Sequence, residues 1–250
     1  MAELRAWGLK GIPEVQPGDD LAALIIEALR SGDHSLAPGD VLVVTQKIVS
    51  KAEGRLVDLD TVEPSHFARQ LAEAWGKDPA MVEVVLRESR RIVRMDNGVI
   101  VAETRHGFVC ANAGVDASNV AGDRTVALLP LDPDASAARL RAAIGRAMSV
   151  APAVVISDSF GRPWREGTTE VAIGVTGMPA ARDYIGVRDA FGYELRTSVV
   201  AVADELACVA ELVCGKIEGT PVALIRGYDG GEGEGKGQDL VRAPERDLFR

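Results

Sequence analysis

Three apolar runs follow one another closely in the middle of the chain: Arg91 to Met95, Val99 to Glu103 and Gly107 to Ala111. The first two meet at Asp96-Asn97-Gly98. Asn-Gly is the strongest short-range hairpin signal, because both residues tolerate the positive φ that a tight turn needs. Adjacent hairpin strands cannot belong to a regular βαβ alternation. Helical spacing nonetheless recurs around them, over Asp19 to Ser31, Ser65 to Trp75, Pro79 to Glu88 and Asp134 to Ala147. Val199 to Gly215 is the longest helix candidate. Val41 to Val44 and Ala153 to Ile156 read as short buried strands, and Val222 to Arg226 as a closing strand. This mixture predicts an α+β fold with mainly antiparallel sheet, not a Rossmann or P-loop fold.

A length of 250 residues allows one large domain or two small ones. Aromatics are only 4% of a chain that is 47% hydrophobic, so Ala, Val, Leu and Ile must build the core. The formal charge of −9 argues against nucleic acid or an anionic membrane as partner, since both need a basic footprint. A small anionic ligand is still possible if lysines and arginines gather at its site. No apolar run approaches the length of a membrane span, and Met1 to Lys10 lack the form of a signal peptide. Cys110, Cys208 and Cys214 have no C-x-x-C spacing, so they read as reduced cysteines of a cytoplasmic protein.

Two aspartates stand out. Asp116 lies in Gly114-Val115-Asp116-Ala117-Ser118-Asn119, and Asp158 follows the strand-like Ala153 to Ile156. A carboxylate at the end of a buried strand, among small polar residues, is well placed for a hard cation such as magnesium or manganese. The competing reading is that both aspartates cap turns or helices.

Gly230 to Gly237 holds five glycines in eight positions and nearly fits the phosphate loop G-x-x-x-x-G-K-[ST]. Gly237 replaces the hydroxyl residue, Glu232 and Glu234 would set like charge beside phosphate, and Pro244 leaves little room for a helix. The segment reads instead as a mobile flap, with Lys236 able to approach an anionic ligand.

Several segments together resemble one family, the coenzyme F-420-0:γ-glutamyl ligases. They are Gly11-Ile12-Pro13-Glu14-Val15 with Pro17 to Leu21; Val44-Thr45-Gln46-Lys47-Ile48-Val49-Ser50-Lys51 with Glu53-Gly54-Arg55; Ala113 to Asn119; and Ser157-Asp158-Ser159-Phe160-Gly161-Arg162-Pro163-Trp164-Arg165. The stretch Val202 to Lys216 and the ending Arg246-Asp247-Leu248-Phe249 also match. The resemblance spans nearly the whole chain, as a single ligase unit over 1–250 with two intertwined mixed α/β lobes. It implies a homodimer, in the stand-alone form without a C-terminal nitroreductase-like domain.

The resemblance also implies chemistry. L-glutamate is joined to the deazaflavin precursor, GTP is spent to GDP and phosphate, and Mg2+ or Mn2+ is needed. Asp116 and Asp158 match the metal carboxylates, with Ser159 where a hydroxyl contacts a second metal. Lys51 matches a phosphate-binding lysine and joins the aspartates as a catalytic candidate. Ile12, Pro13, Glu14 and Val15 match a segment at the nucleotide, Asn119 a nucleotide contact, and Gln46 a polar residue at GTP. Gly215 and Lys216 belong to the same nucleotide set. Lys216 departs from the pattern, standing where some members carry a Gln that serves the second metal. Lysine has donors only, so either that metal is held differently or Lys216 meets phosphate itself.

Amide formation from a free carboxylate requires activation, and attack on the γ-phosphate of GTP supplies it as an acyl phosphate. Two other readings use the same residues: a metal-dependent nucleotide hydrolase or phosphatase, and a GTP-binding regulatory protein. Arg162 and Arg165 either bind a substrate anion or stack on Trp164. Asp204-Glu205 is either catalytic or a solvated helix turn. His34, His66 and His106 read as solvated or turn residues.

Overall fold

A computed structural model describes residues 3–231 and 233–248. Glu232 of the Gly-rich segment and Phe249 of the family-like ending lie outside the described residues. The chain enters through β1 (Arg5–Gly8), α1 (Leu21–Ser31), β2 (Val41–Thr45) and α2 (Gln46–Ala52). A middle section follows with β3 (Leu56–Asp58), α3 (His66–Trp75), α4 (Pro79–Glu88), β4 (Ser89–Asp96), β5 (Val99–Thr104), β6 (Val109–Ala111) and β7 (Thr125–Ala127). The last section holds α5 (Pro133–Met148), β8 (Ala153–Arg162), β9 (Arg165–Thr176), β10 (Arg182–Asp183), β11 (Val199–Val200), α6 (Val202–Cys214) and β12 (Val222–Arg226).

The largest sheet has the order β1-β12-β2-β8-β9. Its neighbours pair antiparallel except β2 with β8, which run parallel with Thr45 opposite Ser157. The fold is α+β, as expected from the hairpins. Strand periodicity sorts the core. Leu42, Val44, Val154, Ile156, Val222 and Leu224 pack with α1 and α5, whereas Val41, Val43, Val155, Ala223 and Ile225 pack with α6. A sheet covered by helices on both faces needs apolar residues at every position of its central strands, which is why these runs are continuous rather than alternating. A third core gathers α3, α4 and β5 around Ala68, Val85 and Ile100.

Local chemistry sets many boundaries. The carboxylate of Asp20 caps α1, and Ser65 and Asp78 cap α3 and α4 by accepting N–H bonds one turn in. Asn97 and Gly98 both take positive φ at the β4–β5 turn. Two inner strands of the large sheet are tied at one end by Asp40, fully buried just before β2, which takes two hydrogen bonds from Arg226 of β12 at 2.8 and 2.7 Å.

Several expectations change. The longest helix is α5 with 16 residues, while α6 has 13, because Ala201 and Gly215 stop it at either end. The segment Gln46–Ala52 after β2 forms α2, a short helix whose inner face buries Ile48, Val49 and Ser50. The strand ending at Ile156 instead continues as β8 to Arg162 and returns as β9, which the sequence reading lacked. These outer residues are polar because the hairpin projects past the core.

The second half of the Gly-rich segment is packed rather than a free flap. Gly235 and Gly237 are buried, and Gly237 donates its N–H to Asp134 Oδ1 at 2.7 Å. Glu234 accepts the Gly177 N–H at 2.8 Å. A side chain at 237 would collide with the backbone of Ile173, so glycine serves close approach to β9. Lys236 precedes a 3-10 turn over Gly237–Leu240 rather than a phosphate-binding helix.

Candidate active site

A cavity of about 620 Å3 opens where β2 ends at Thr45 and β8 runs on past Ser157. Sequence-distant segments enclose it. Ile12, Pro13, Glu14 and Val15 form one wall, α2 contributes Gln46 and Lys51, and Asn119 and Asp116 close another side. Asp158 and Ser159 come from β8, and Gly215 and Lys216 from the end of α6. Every site residue marked by the family resemblance therefore lines one cavity.

Asp116 is fixed by its backbone, which exchanges hydrogen bonds with Ala127 at 3.0 and 2.8 Å. The turn before it holds Ala113 and Gly114 at positive φ, and a side chain at 114 would meet Leu129. Its carboxylate does cap a local turn, accepting the Ser118 N–H at 2.7 Å and the Ser118 hydroxyl at 2.9 Å. It also accepts from Lys47 Nζ at 2.6 Å. Burial alone would raise this carboxyl; the Lys47 and Ser118 hydrogen bonds outweigh it and hold it below the usual carboxylate range.

Asp158 caps nothing. It sits within β8 just after a register shift between Ile156 and Ser157, a device that re-aims strand side chains. The residue is half-buried and lines the cavity. Burial first, then the charges of Glu170 and Asp116, push its carboxyl up to about 7. The Ser159 backbone N–H and Lys47 oppose that rise without cancelling it.

Glu170 lies opposite Ser159 across the β8–β9 pair and accepts the Ser159 hydroxyl proton. Lys216 Nζ donates to the Ser159 hydroxyl, to Glu170 Oε1 at 3.3 Å and to Glu211 Oε1 at 2.7 Å. Burial works against the Lys216 charge, but its Glu211 and Glu170 partners prevail and raise the ammonium above its ordinary range. Lys51, nearly buried, pairs with Glu14 Oε1 at 2.5 Å. The Gln46 carboxamide oxygen accepts from Ser50 at 2.8 Å, while its buried nitrogen has no partner. Asn119 adopts positive φ beside Ser118, and Gly215 does so where α6 stops and Lys216 turns toward the cavity.

Lys47, Glu170 and Glu211 escaped the sequence reading. Lys47 stood in the quoted Thr45-Gln46-Lys47 string, so a signal existed; Glu170 and Glu211 stood in polar or helical context with none. Arg162, Trp164, Arg165, Asp204 and the histidines do not line the cavity. Arg162 instead donates to Glu166 O at 2.8 Å on the hairpin tip. Asp204 lies off the cavity and half-buried, where it accepts the Ala172 N–H at 2.8 Å and ties α6 to β9, while its neighbour Glu205 is exposed.

The cavity wall carries five carboxylates (Glu14, Asp116, Asp158, Glu170, Glu211) and three ammonium groups (Lys47, Lys51, Lys216). That excess of negative charge fits a bound cation. Among the described residues no three His, Cys, Asp or Glu side chains form a ready cage, so such a cation would need further oxygens from a ligand or water.

A family model described as F420-0:Gamma-glutamyl ligase matches residues 10–227. The protein named coenzyme F420:L-glutamate ligase from Methanothermobacter thermautotrophicus is 48% identical over 246 residues, covering 97% of each chain. Its namesake from Methanopyrus kandleri is 49% identical over 242 residues, 95% of this chain and 94% of the relative. That of Methanocaldococcus jannaschii is 45% identical over 218 residues, 87% of both.

Proposed function

The chain belongs to the F420-0:gamma-glutamyl ligase family, and from that premise we propose that it joins L-glutamate by an amide bond to the deazaflavin coenzyme F-420-0. GTP is the energy source, and further γ-linked glutamates are added by the same chemistry. The observation that carries the reading is the single cavity in which Asp116, Asp158 and Glu170 face Lys47, Lys51 and Lys216. A chain of net charge −9 has gathered three lysines at one concave site. That is the requirement for binding an anionic, phosphate-bearing substrate.

In the first step an oxygen of the acceptor carboxylate attacks the γ-phosphorus of GTP. The bond to the β,γ-bridging oxygen breaks, and GDP leaves with its electron pair. In the second step the neutral glutamate amine attacks the acyl carbon; phosphate departs with the C–O electron pair, and the proton shed by the nitrogen leaves with it as hydrogen phosphate as the amide forms. Phosphoryl transfer of this kind depends on positioning and on neutralising charge. Lys51 offers a compact cation for the phosphates once it exchanges Glu14 for them. Ile12 to Val15, Gln46, Asn119 and Gly215 shape the nucleotide's bed, and the unpartnered Gln46 nitrogen offers it a donor. Asp116 and Asp158 would hold Mg2+ or Mn2+, which would supply neutralisation of phosphate charge. Lys47 holds Asp116 ionised and oriented for that purpose.

The homodimer implied by the family resemblance is part of this proposal. Leu212 and Ile217 are 85% and 90% exposed at the end of α6 beside the cavity, an apolar surface suited to a second copy. Light scattering that gives a monomer mass would refute it. The activity itself is tested by phosphate release from GTP with each substrate omitted in turn. Release should require both L-glutamate and F-420-0, and mass spectrometry should find the acceptor heavier by glutamyl residues. Phosphate release without glutamate would favour a hydrolase, and binding without turnover a regulatory protein.

A further inference from the structure

Lys216 is the residue whose surroundings the ligase reading leaves unexplained. Its ammonium has three N–H donors, and each has an oxygen to meet: the Ser159 hydroxyl, Glu170 Oε1 and Glu211 Oε1. Two of those partners are carboxylates, and Glu170 is almost wholly buried, with 7% of its side chain exposed. A buried carboxylate needs a compensating cation. On the Asp116 side of the cavity, Lys47 plays a similar part, but among the described residues Asp158 has no ion pair of its own. The two sides therefore differ. One carboxylate awaits a positive charge, while the Glu170 pocket already has one supplied by the chain.

Building on the nucleotide-dependent ligase reading, we propose that the Lys216 ammonium is a built-in cation filling the position a second divalent metal would occupy, so that the enzyme works with one divalent cation per chain. Ser159 is accordingly a partner of Lys216, not a metal ligand. The ammonium stays on Glu170 and Glu211 during turnover and faces the phosphates with whatever donor capacity it can share. A divalent ion in the same oxygen cluster would sit within a few ångströms of a fixed positive charge, and the repulsion at that range is strong. Lysine, having no lone pair when charged, cannot relieve it by ligation. Glutamine at this position has a carbonyl oxygen and no charge, so it would admit the ion.

The test counts metal ions. Mn2+ is titrated into the full-length protein saturated with the imido analogue of GTP, and free Mn2+ is read by its paramagnetic resonance after correction for Mn2+ held by free nucleotide. The expected count is one per chain for the wild type and two for Lys216→Gln. Two per chain in the wild type overturns the proposal whether or not any variant folds, and so does an equal count in the two proteins. A second readout uses no nucleotide. In EDTA, Lys216→Met should melt below the wild type, since Glu170 loses its cation, and Mn2+ should restore more of its melting temperature than it adds to the wild type. Equal responses to Mn2+ count against the proposal. The underlying ligase reading fails separately: it falls if the wild type binds neither Mn2+ nor the analogue, or forms no glutamyl product. Glutamyl product with two Mn2+ per chain would spare that reading and overturn only the single-cation inference.

Discussion

Asp158→Asn makes the sharpest test of the site, because folding and function should move in opposite directions. In the metal-free protein the Asp158 carboxyl is pushed from an ordinary 3.8 up to about 7. A raised acid favours its protonated form in the fold, so its contribution to stability is intact below pH 4 and is lost as pH rises through about 7. A shift of that size corresponds to ~4 kcal/mol as an upper bound at pH 8 or above. Asparagine keeps the shape and carries no charge to repel Glu170 and Asp116. If about half of the bound is realised, ~2 kcal/mol, the variant should melt roughly 4–8 °C above the wild type at pH 8 in EDTA. Near pH 4 the two should agree within a degree or two, on the order of the scatter expected for a neutral change. Adding Mg2+ reverses the ranking. A cation at 100 times its dissociation constant stabilises the wild type by about 2.7 kcal/mol, while the variant gains little and loses ligation. Scanning calorimetry at both pH values, with and without Mg2+, reads all of this. A variant that melts below the wild type at pH 8 in EDTA would refute the electrostatic argument. Full ligation at ordinary Mg2+ would refute the metal assignment.

Other changes separate binding from folding. Lys51→Ala should weaken nucleotide binding roughly 10- to 100-fold, the cost of a charge-assisted contact, and leave the melting temperature nearly unchanged, since Glu14 is 58% exposed and regains water; unchanged affinity by calorimetry removes Lys51 from the site. Asp40→Ala strips the fully buried partner of Arg226 and should cost about 2–3 kcal/mol in urea unfolding, below the full penalty for a buried pair because Arg226 reaches solvent. Gly237→Ala forces a methyl onto the Ile173 backbone and should cost ~1–3 kcal/mol, with GTP spent per amide bond unaltered; a changed coupling ratio would return the Gly-rich segment to the role of a lid.

Sequence alone determined what neighbouring residues decide among themselves. Pro79 to Glu88 has the bounds read from its helical spacing, and Val222 to Arg226 is the strand its apolar run announced. Asn97-Gly98 turns the chain because its two residues can take positive φ, which needs no help from the rest of the fold. The family motifs marked Asp116, Asp158 and Lys51, and the fold gathers them at one cavity. Tertiary structure decided the rest. Lys47 reaches Asp116 across 69 positions, and Lys216 reaches Ser159 across 57. Those meetings exist because β2 lies parallel to β8, setting Thr45 beside Ser157, and because α6 ends over the same strand ends. No periodicity in a single chain records which distant strands will pair. Glu170 was unreadable for that reason: in the linear chain it is one polar residue among threonines, and only the β8–β9 register turns it toward Ser159, where its burial calls for the Lys216 charge.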